Sequence, residues 1–161
     1  MKTLNFIHLD SIAAGKVVDS LQQLLADYQV FYTNLRGFHW NIKGNQFFVL
    51  HKQYEDMYNN VSEKADELAE RLLMLGGEPL NKFSEYLNIA RVKEVSGVSS
   101  ASESLKNVLD TYSYFIGEER KLLALASELA DEATVALMSD YLKEQEKLVW
   151  MLVAYASGES K

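Results

Sequence analysis

The sequence has no cysteine, one proline and eight glycines among its 161 residues. Without cysteine there are no disulfides, no thiolate metal sites and no cysteine nucleophile. So little proline and glycine ill suits an all-β sandwich or barrel, which needs many tight turns. It points instead to long helices with few joints. Positive charge is also scarce: 16 Lys+Arg stand against 23 Asp+Glu, a formal charge of -7. That balance argues against a nucleic-acid-binding face spread over the whole surface. Long apolar runs are missing too. The longest, Leu148 to Ala156, falls far below the ~20 residues that span a bilayer. Met1 to Leu9 lacks a basic region followed by an apolar stretch, so the expectation is a cytoplasmic protein with no membrane segment. Hydrophobic residues are 48%, enough for one sizeable core, and residues 1–161 read as a single domain.

The apolar pattern has helical period in four places. Val17, Leu21, Leu24, Leu25, Tyr28 and Phe31 recur at spacings of three and four, which places them on one helical face. This first helix is expected over about 11–37, closing near Gly37. A second, about 45–75, carries Leu50, Tyr54, Met57, Val61, Ala65, Leu68 and Leu72 and stops at Gly76-Gly77-Glu78-Pro79. A third covers about 102–130 and a fourth about 134–156. The first pair and the last pair are joined by short links, which make antiparallel neighbours. Helices two and three are separated by a long stretch, Gly76 to Ala101, with its own amphipathic segment at about 83–91. A connection that long can travel the length of a bundle and join two parallel helices. The expected fold is therefore all-α: a ferritin-like four-helix bundle with one long crossover containing a short extra helix.

The chain has three histidines, His8, His39 and His51, and none has a glutamate three residues before it. The Glu-x-x-His pattern of an internal di-iron site is absent. The second helix offers a different arrangement. With His51 at zero and about 100° per residue, Glu55 falls near 40°, Asp66 near 60° and Glu70 near 100°. The apolar stripe occupies roughly 240° to 340° on the same wheel. Phe48 and Leu73 share the polar face at its two ends, with Asn59 and Ser62 between them. Such a face is suited to being covered. His51 and Glu70 lie ~28 Å apart along the axis, so they cannot share an ion within one chain. Two half-clusters remain, His51/Glu55 and Asp66/Glu70, centred near residue 60 or 61. A second copy docked antiparallel about that centre sets each half-cluster against the other and creates two equivalent sites. Imidazole with carboxylate and no thiolate is compatible with non-haem iron, manganese or zinc, and His39 can supply a second imidazole. Taken singly, His51/Glu55 also reads as a solvated i,i+4 pair and Asp66/Glu70 as an exposed acidic face.

Phe38-His39-Trp40-Asn41-Ile42-Lys43-Gly44, the histidine twelve residues on at His51, and Asp66-Glu67-Leu68-Ala69-Glu70-Arg71 together resemble the Dps family, or miniferritins. Glu146-Lys147 and Trp150-Met151-Leu152 resemble the family's last helix. The resemblance covers nearly the whole chain. It implies a hollow shell of twelve subunits that oxidises iron(II), typically with hydrogen peroxide, and stores ferric mineral. By position it implies metal ligands His39, His51 and Glu55 from one chain and Asp66 and Glu70 from its partner. Many members have aspartate where Glu55 stands, and Asp56 follows it here, so Asp56 is the competing ligand. The resemblance also gives Trp40 a possible part as electron donor. It gives Asp131 and Asp140 a place at acidic three-fold pores, where capping of the fourth helix is the alternative for Asp131.

The alternative function is a DNA-coating nucleoid protein with iron oxidation secondary. Family members that bind DNA often carry lysine-rich tails. Here Lys2 and Lys16 are the only basic residues before Phe31, and only Lys161 follows the last helix. Direct DNA binding is expected to be weak or absent. A third possibility is an inert helical scaffold with an accidental acidic face.

Overall fold

The computed structural model describes residues 3–158; Lys2 and Lys161 lie outside the described residues. These fold into six helices: α1 (Leu4–Ile7), α2 (Ser11–Asn41), α3 (Phe47–Met74), α4 (Phe83–Ile89), α5 (Ala101–Glu128) and α6 (Glu132–Ser157). Side chains close the starts of three long helices. Asp10 accepts from the backbone N–H of Ile12 and Ala13, Ser100 from Glu103 and Asp131 from Thr134. At the other end of α3, Gly76 turns the chain at a φ of 80°, and the Gly77 N–H returns to the Leu72 carbonyl.

Cross-bonds fix the direction of each helix. Tyr54 on early α3 donates to Ser104 on early α5, and the Lys43 N–H donates to the Ser99 carbonyl at the same end. Helices α3 and α5 therefore run parallel. Tyr28 on α2 meets Glu119 on late α5, while Phe31 meets Tyr112, so α2 and α5 are antiparallel. Lys64 meets Glu144, and further along α3 Arg71 meets Asp131, so α3 and α6 are antiparallel too. This is the bundle with one long crossover that the sequence predicts, and it is all-helical among the described residues.

The crossover is fastened along α2. Asp27, fully buried, accepts from the N–H groups of Arg91 and Val92 with one oxygen. Its other oxygen accepts from Tyr114 and Gln23. Two turns on, Asn34 donates to the Lys93 carbonyl and accepts from the Val95 N–H. A non-helical segment must find partners for its backbone polar groups, and these two side chains supply them.

One boundary differs from the sequence reading. Helix α2 does not close near Gly37 but continues to Asn41. Phe38 is buried against Tyr54, and that packing outweighs the modest cost of a glycine inside a helix. His39 and Trp40 consequently stand in the last turn of a helix, not in a connecting turn.

Candidate metal centre

The continuation of α2 brings His39 beside His51 on the second turn of α3. Their rings stack, with centroids 3.7 Å apart and planes inclined by 19°. His39 Nδ1 lies 2.7 Å from the His51 backbone carbonyl, and His51 Nδ1 lies 2.8 Å from the His39 carbonyl. A carbonyl only accepts, so each Nδ1 carries the proton. In each neutral ring Nε2 is then left with a free lone pair. The two histidines orient one another, and in the neutral form they present their two Nε2 lone pairs as a pair. Phe47 stacks on the outer face of His51 at 4.9 Å and Tyr58 meets His39 edge-on at 5.4 Å. Both imidazoles are half-buried, so their ring planes are held while one edge stays accessible.

Glu55 stands one turn beyond His51 and is half-buried. Lys52 lies 3.5 Å from Glu55 and 2.5 Å from Asp56. Its ammonium pKa is raised, first by the hydrogen bond to Asp56. Asp56 is exposed and engaged by Lys52. Glu55 is the carboxylate nearer in helical register to His51 and the weaker partner of Lys52, and this favours Glu55 over Asp56 as a ligand. Asp66 and Glu70 are exposed on the same helix, about 22 Å or more from His51 at 1.5 Å per residue. Among the described residues of one chain, no three metal-ligating side chains of the His, Cys, Asp and Glu types come together. What one chain brings together is the His39/His51 pair, with Glu55 one helical turn further along α3.

The exposed face of α3 has an internal symmetry. Phe48 pairs in position with Leu73, His51 with Glu70, Glu55 with Asp66 and Asn59 with Ser62. Every pair is centred midway between Asn60 and Val61. Phe48 and Leu73, the outermost pair, are 84% and 55% exposed.

Trp40 is 63% exposed, and the Arg36 guanidinium lies 4.6 Å from its ring centre. Asp140 is exposed on α6. Asp131 is only 4% exposed in the single chain. It accepts from Arg71 and Thr134 and caps α6, so its charge is spent inside the subunit. These contacts are those of the capping role.

The bundle centre holds polar groups that sequence reasoning passed over. Fully buried Glu119 accepts from Tyr28 at 2.7 Å and from Gln145 at 2.8 Å, all through Oε1. Its Oε2 and the Gln145 Oε1 have no hydrogen-bond partner. Desolvation lifts the Glu119 carboxyl from 4.5 to about 7, against the opposing effect of the two hydrogen bonds. Lys64, also buried, reaches Glu144 at 2.5 Å over the ring of Tyr141. A signal for these residues exists. Glu119 falls between Phe115 and Leu122, and Gln145 between Tyr141 and Leu148, each on its helix's apolar stripe.

Residues 18–158 match the family model described as a ferritin-like domain. The DNA protection during starvation protein of Porphyromonas gingivalis is 53% identical over 156 residues, covering 97% of this chain and 98% of that protein. The protein of that name from Helicobacter pylori is 36% identical over 87% of this chain and 98% of its own length. Among solved structures, the Dps protein of Vibrio cholerae O1 superposes with a TM-score of 0.90 at 47% identity. The match covers 92% of this chain and 93% of that one, and that protein is described as a member of a broad superfamily of ferritin-like diiron-carboxylate proteins.

Proposed function

This chain belongs to the Dps family of ferritin-like proteins. From that premise, we propose that it oxidises iron(II) with hydrogen peroxide at sites between two-fold-related subunits. The ferric product is stored in a hollow shell, which protects the cell from oxidative damage. The observation that carries this reading is the His39/His51 pair. Each ring uses the other's backbone carbonyl to fix its tautomer, and both Nε2 atoms are left free for a metal.

Iron(II) is the substrate here. His39 and His51 supply neutral nitrogen donors and Glu55 supplies a negative oxygen. The symmetric face of α3 supports completion by Asp66 of the partner subunit and Glu70 of the partner subunit. Three carboxylates with two imidazoles stabilise iron(III) more than iron(II), because the anionic charge matches the higher oxidation state. Two iron(II) ions together give the two electrons that cleave the O–O bond of one peroxide, and the ferric ions hydrolyse to mineral. Covering Phe48 and Leu73 in the same interface removes apolar surface from water and helps drive the pairing. Closure into twelve subunits belongs to the same proposal. So does weak or absent direct DNA binding, which rests on the acidic charge.

The test is peroxide consumption with iron(II) under anaerobic conditions. The His39→Ala/His51→Ala variant is expected to lose most of the rate, by at least the roughly 10–100-fold that losing a ligand's outer-shell partner costs. Consumption at the wild-type rate in an intact assembly of that variant would contradict the proposal.

A further inference from the structure

The centre of the bundle holds a polar cluster separate from the histidine pair. Glu119 on α5 and Gln145 on α6 are both buried there. Tyr28 on α2 donates to Glu119 Oε1 at 2.7 Å. Its hydroxyl hydrogen is then spent, so towards Gln145 the Tyr28 oxygen can only accept. Gln145 accordingly turns Nε2 to it at 2.7 Å, and the same Nε2 lies 2.8 Å from Glu119 Oε1. This chain of donors fixes which way the amide faces. Two oxygens are left over, Glu119 Oε2 and Gln145 Oε1, and neither has a hydrogen-bond partner among the described residues. An anionic Glu119 would bury a charge with one oxygen bare, while an amide oxygen of its own partner also lacks a donor.

The neighbours supply no further donor. Lys64 from α3 is held by Glu144 at 2.5 Å over the ring of Tyr141. Tyr141 from α6 donates to Glu67 and to the Lys64 carbonyl. The buried Tyr112 hydroxyl, on the same helix as Glu119, makes no hydrogen bond among the described residues. Burial is the largest influence on the Glu119 carboxyl and favours its neutral form. Glu144 acts in the same direction, and Lys64 and the two hydrogen bonds act against it.

We infer that Glu119 carries a proton on Oε2 and shares it with Gln145 Oε1, closing an acid–amide ring that clasps α5 to α6. The two groups are already joined through Nε2–H and Oε1, and the atoms left over are the other corner of each. One proton satisfies both. Through Tyr28 the same ring reaches α2, so three of the four long helices meet at it. The proton operates the clasp. When base removes it, the ring opens and a buried anion remains against the amide. The clasp holds below neutral pH and weakens above it. This device is independent of the iron chemistry proposed above.

The experiment is infrared difference spectroscopy across the neutral range on the purified protein, with the glutamate carboxyls carbon-13 labelled. Exposed glutamates are ionised throughout that range, so a protonated-carboxyl C=O band reports a buried acid. Wild type is expected to show one such band, shifted by the label and lost as pH rises. Glu119→Gln should lack it. Gln145→Leu removes both the N–H that Oε1 accepts and the acceptor of the proton, so its band should stand at higher frequency. Amide hydrogen exchange reads the clasp itself. Glu119→Gln is uncharged at every pH, so the ratio of wild-type to variant exchange over the middle of α5 and α6 should rise above neutral pH. A wild type without the band, a band that survives Glu119→Gln, or one at unchanged frequency in Gln145→Leu overturns the inference. So does an exchange ratio that stays constant from below to above neutral pH.

Discussion

Histidine chemistry here depends on which nitrogen carries the proton, and the backbone decides it. Two carbonyls facing two Nδ1 atoms give both rings one tautomer. The sequence displays both histidines and their spacing. It does not display this reciprocity, which depends on how the end of one helix is rotated against the start of the next. Glu119 is the second residue whose state is set by its surroundings. Its folded pKa of about 7 lies above the ordinary 4.5 because burial penalises the charged form. The folded protein therefore holds that proton more tightly than the unfolded chain does. The resulting stability is fully present below about pH 4.5 and is lost as pH rises to about 7. Glu119→Gln removes the titration while keeping an oxygen acceptor for Tyr28 and Gln145. The variant is expected to show a flatter stability profile across that window. Above pH 7 it should be more stable than wild type by about 3 kcal/mol per subunit. Denaturant midpoints measured against pH check this, and an unchanged profile would contradict it.

Among the elements, the crossover between α3 and α5 is the one most dependent on few contacts. Asp27 alone receives two of its backbone N–H groups and the hydroxyl of Tyr114. That contact and burial raise the Tyr114 pKa, burial being the larger cause. Asp27→Ala is expected to cost about 2–4 kcal/mol, from several stranded buried donors. Amide hydrogen exchange should speed up first over residues 89–95, ahead of α3; uniform protection across the chain would show that the segment is fastened elsewhere. The length of the crossover and its amphipathic helix are legible in the sequence, because glycine, proline and apolar spacing are local signals. Its docking is not. Asp27 and Asn34 look like ordinary polar positions until the loop is laid across them. The end of α2 was likewise hidden. Gly37 is a local stop signal, and burial of Phe38 overrides it.

For the whole molecule, the informative feature is what a single chain leaves unfinished. The subunit buries a continuous core, yet Phe48, Leu73, Trp150 and Phe83 stay exposed. Its two histidines lie together with Glu55 one turn beyond His51, while Asp66 and Glu70 stand too far along α3 to join them. Helical periodicity made the half-clusters and their common centre readable without coordinates. The proposed site is not visible within one chain, because its proposed parts stand at opposite ends of α3. The acidic balance, first an argument against nucleic acid, acquires a second meaning, since two of those carboxylates are assigned to a neighbour's iron.

The central claim is that each iron site is shared between two chains, and co-assembly of two inactive variants tests it most directly. His51→Ala and Asp66→Ala chains, each inactive in its own assembly, are combined as tagged heterodimers. One of the two sites in each heterodimer then has an intact His51 facing an intact Asp66, while the other has lost both. The account predicts that peroxide-driven iron oxidation returns in the mixed assemblies, with one working site per heterodimer. Mixed assemblies as inactive as either parent would contradict it.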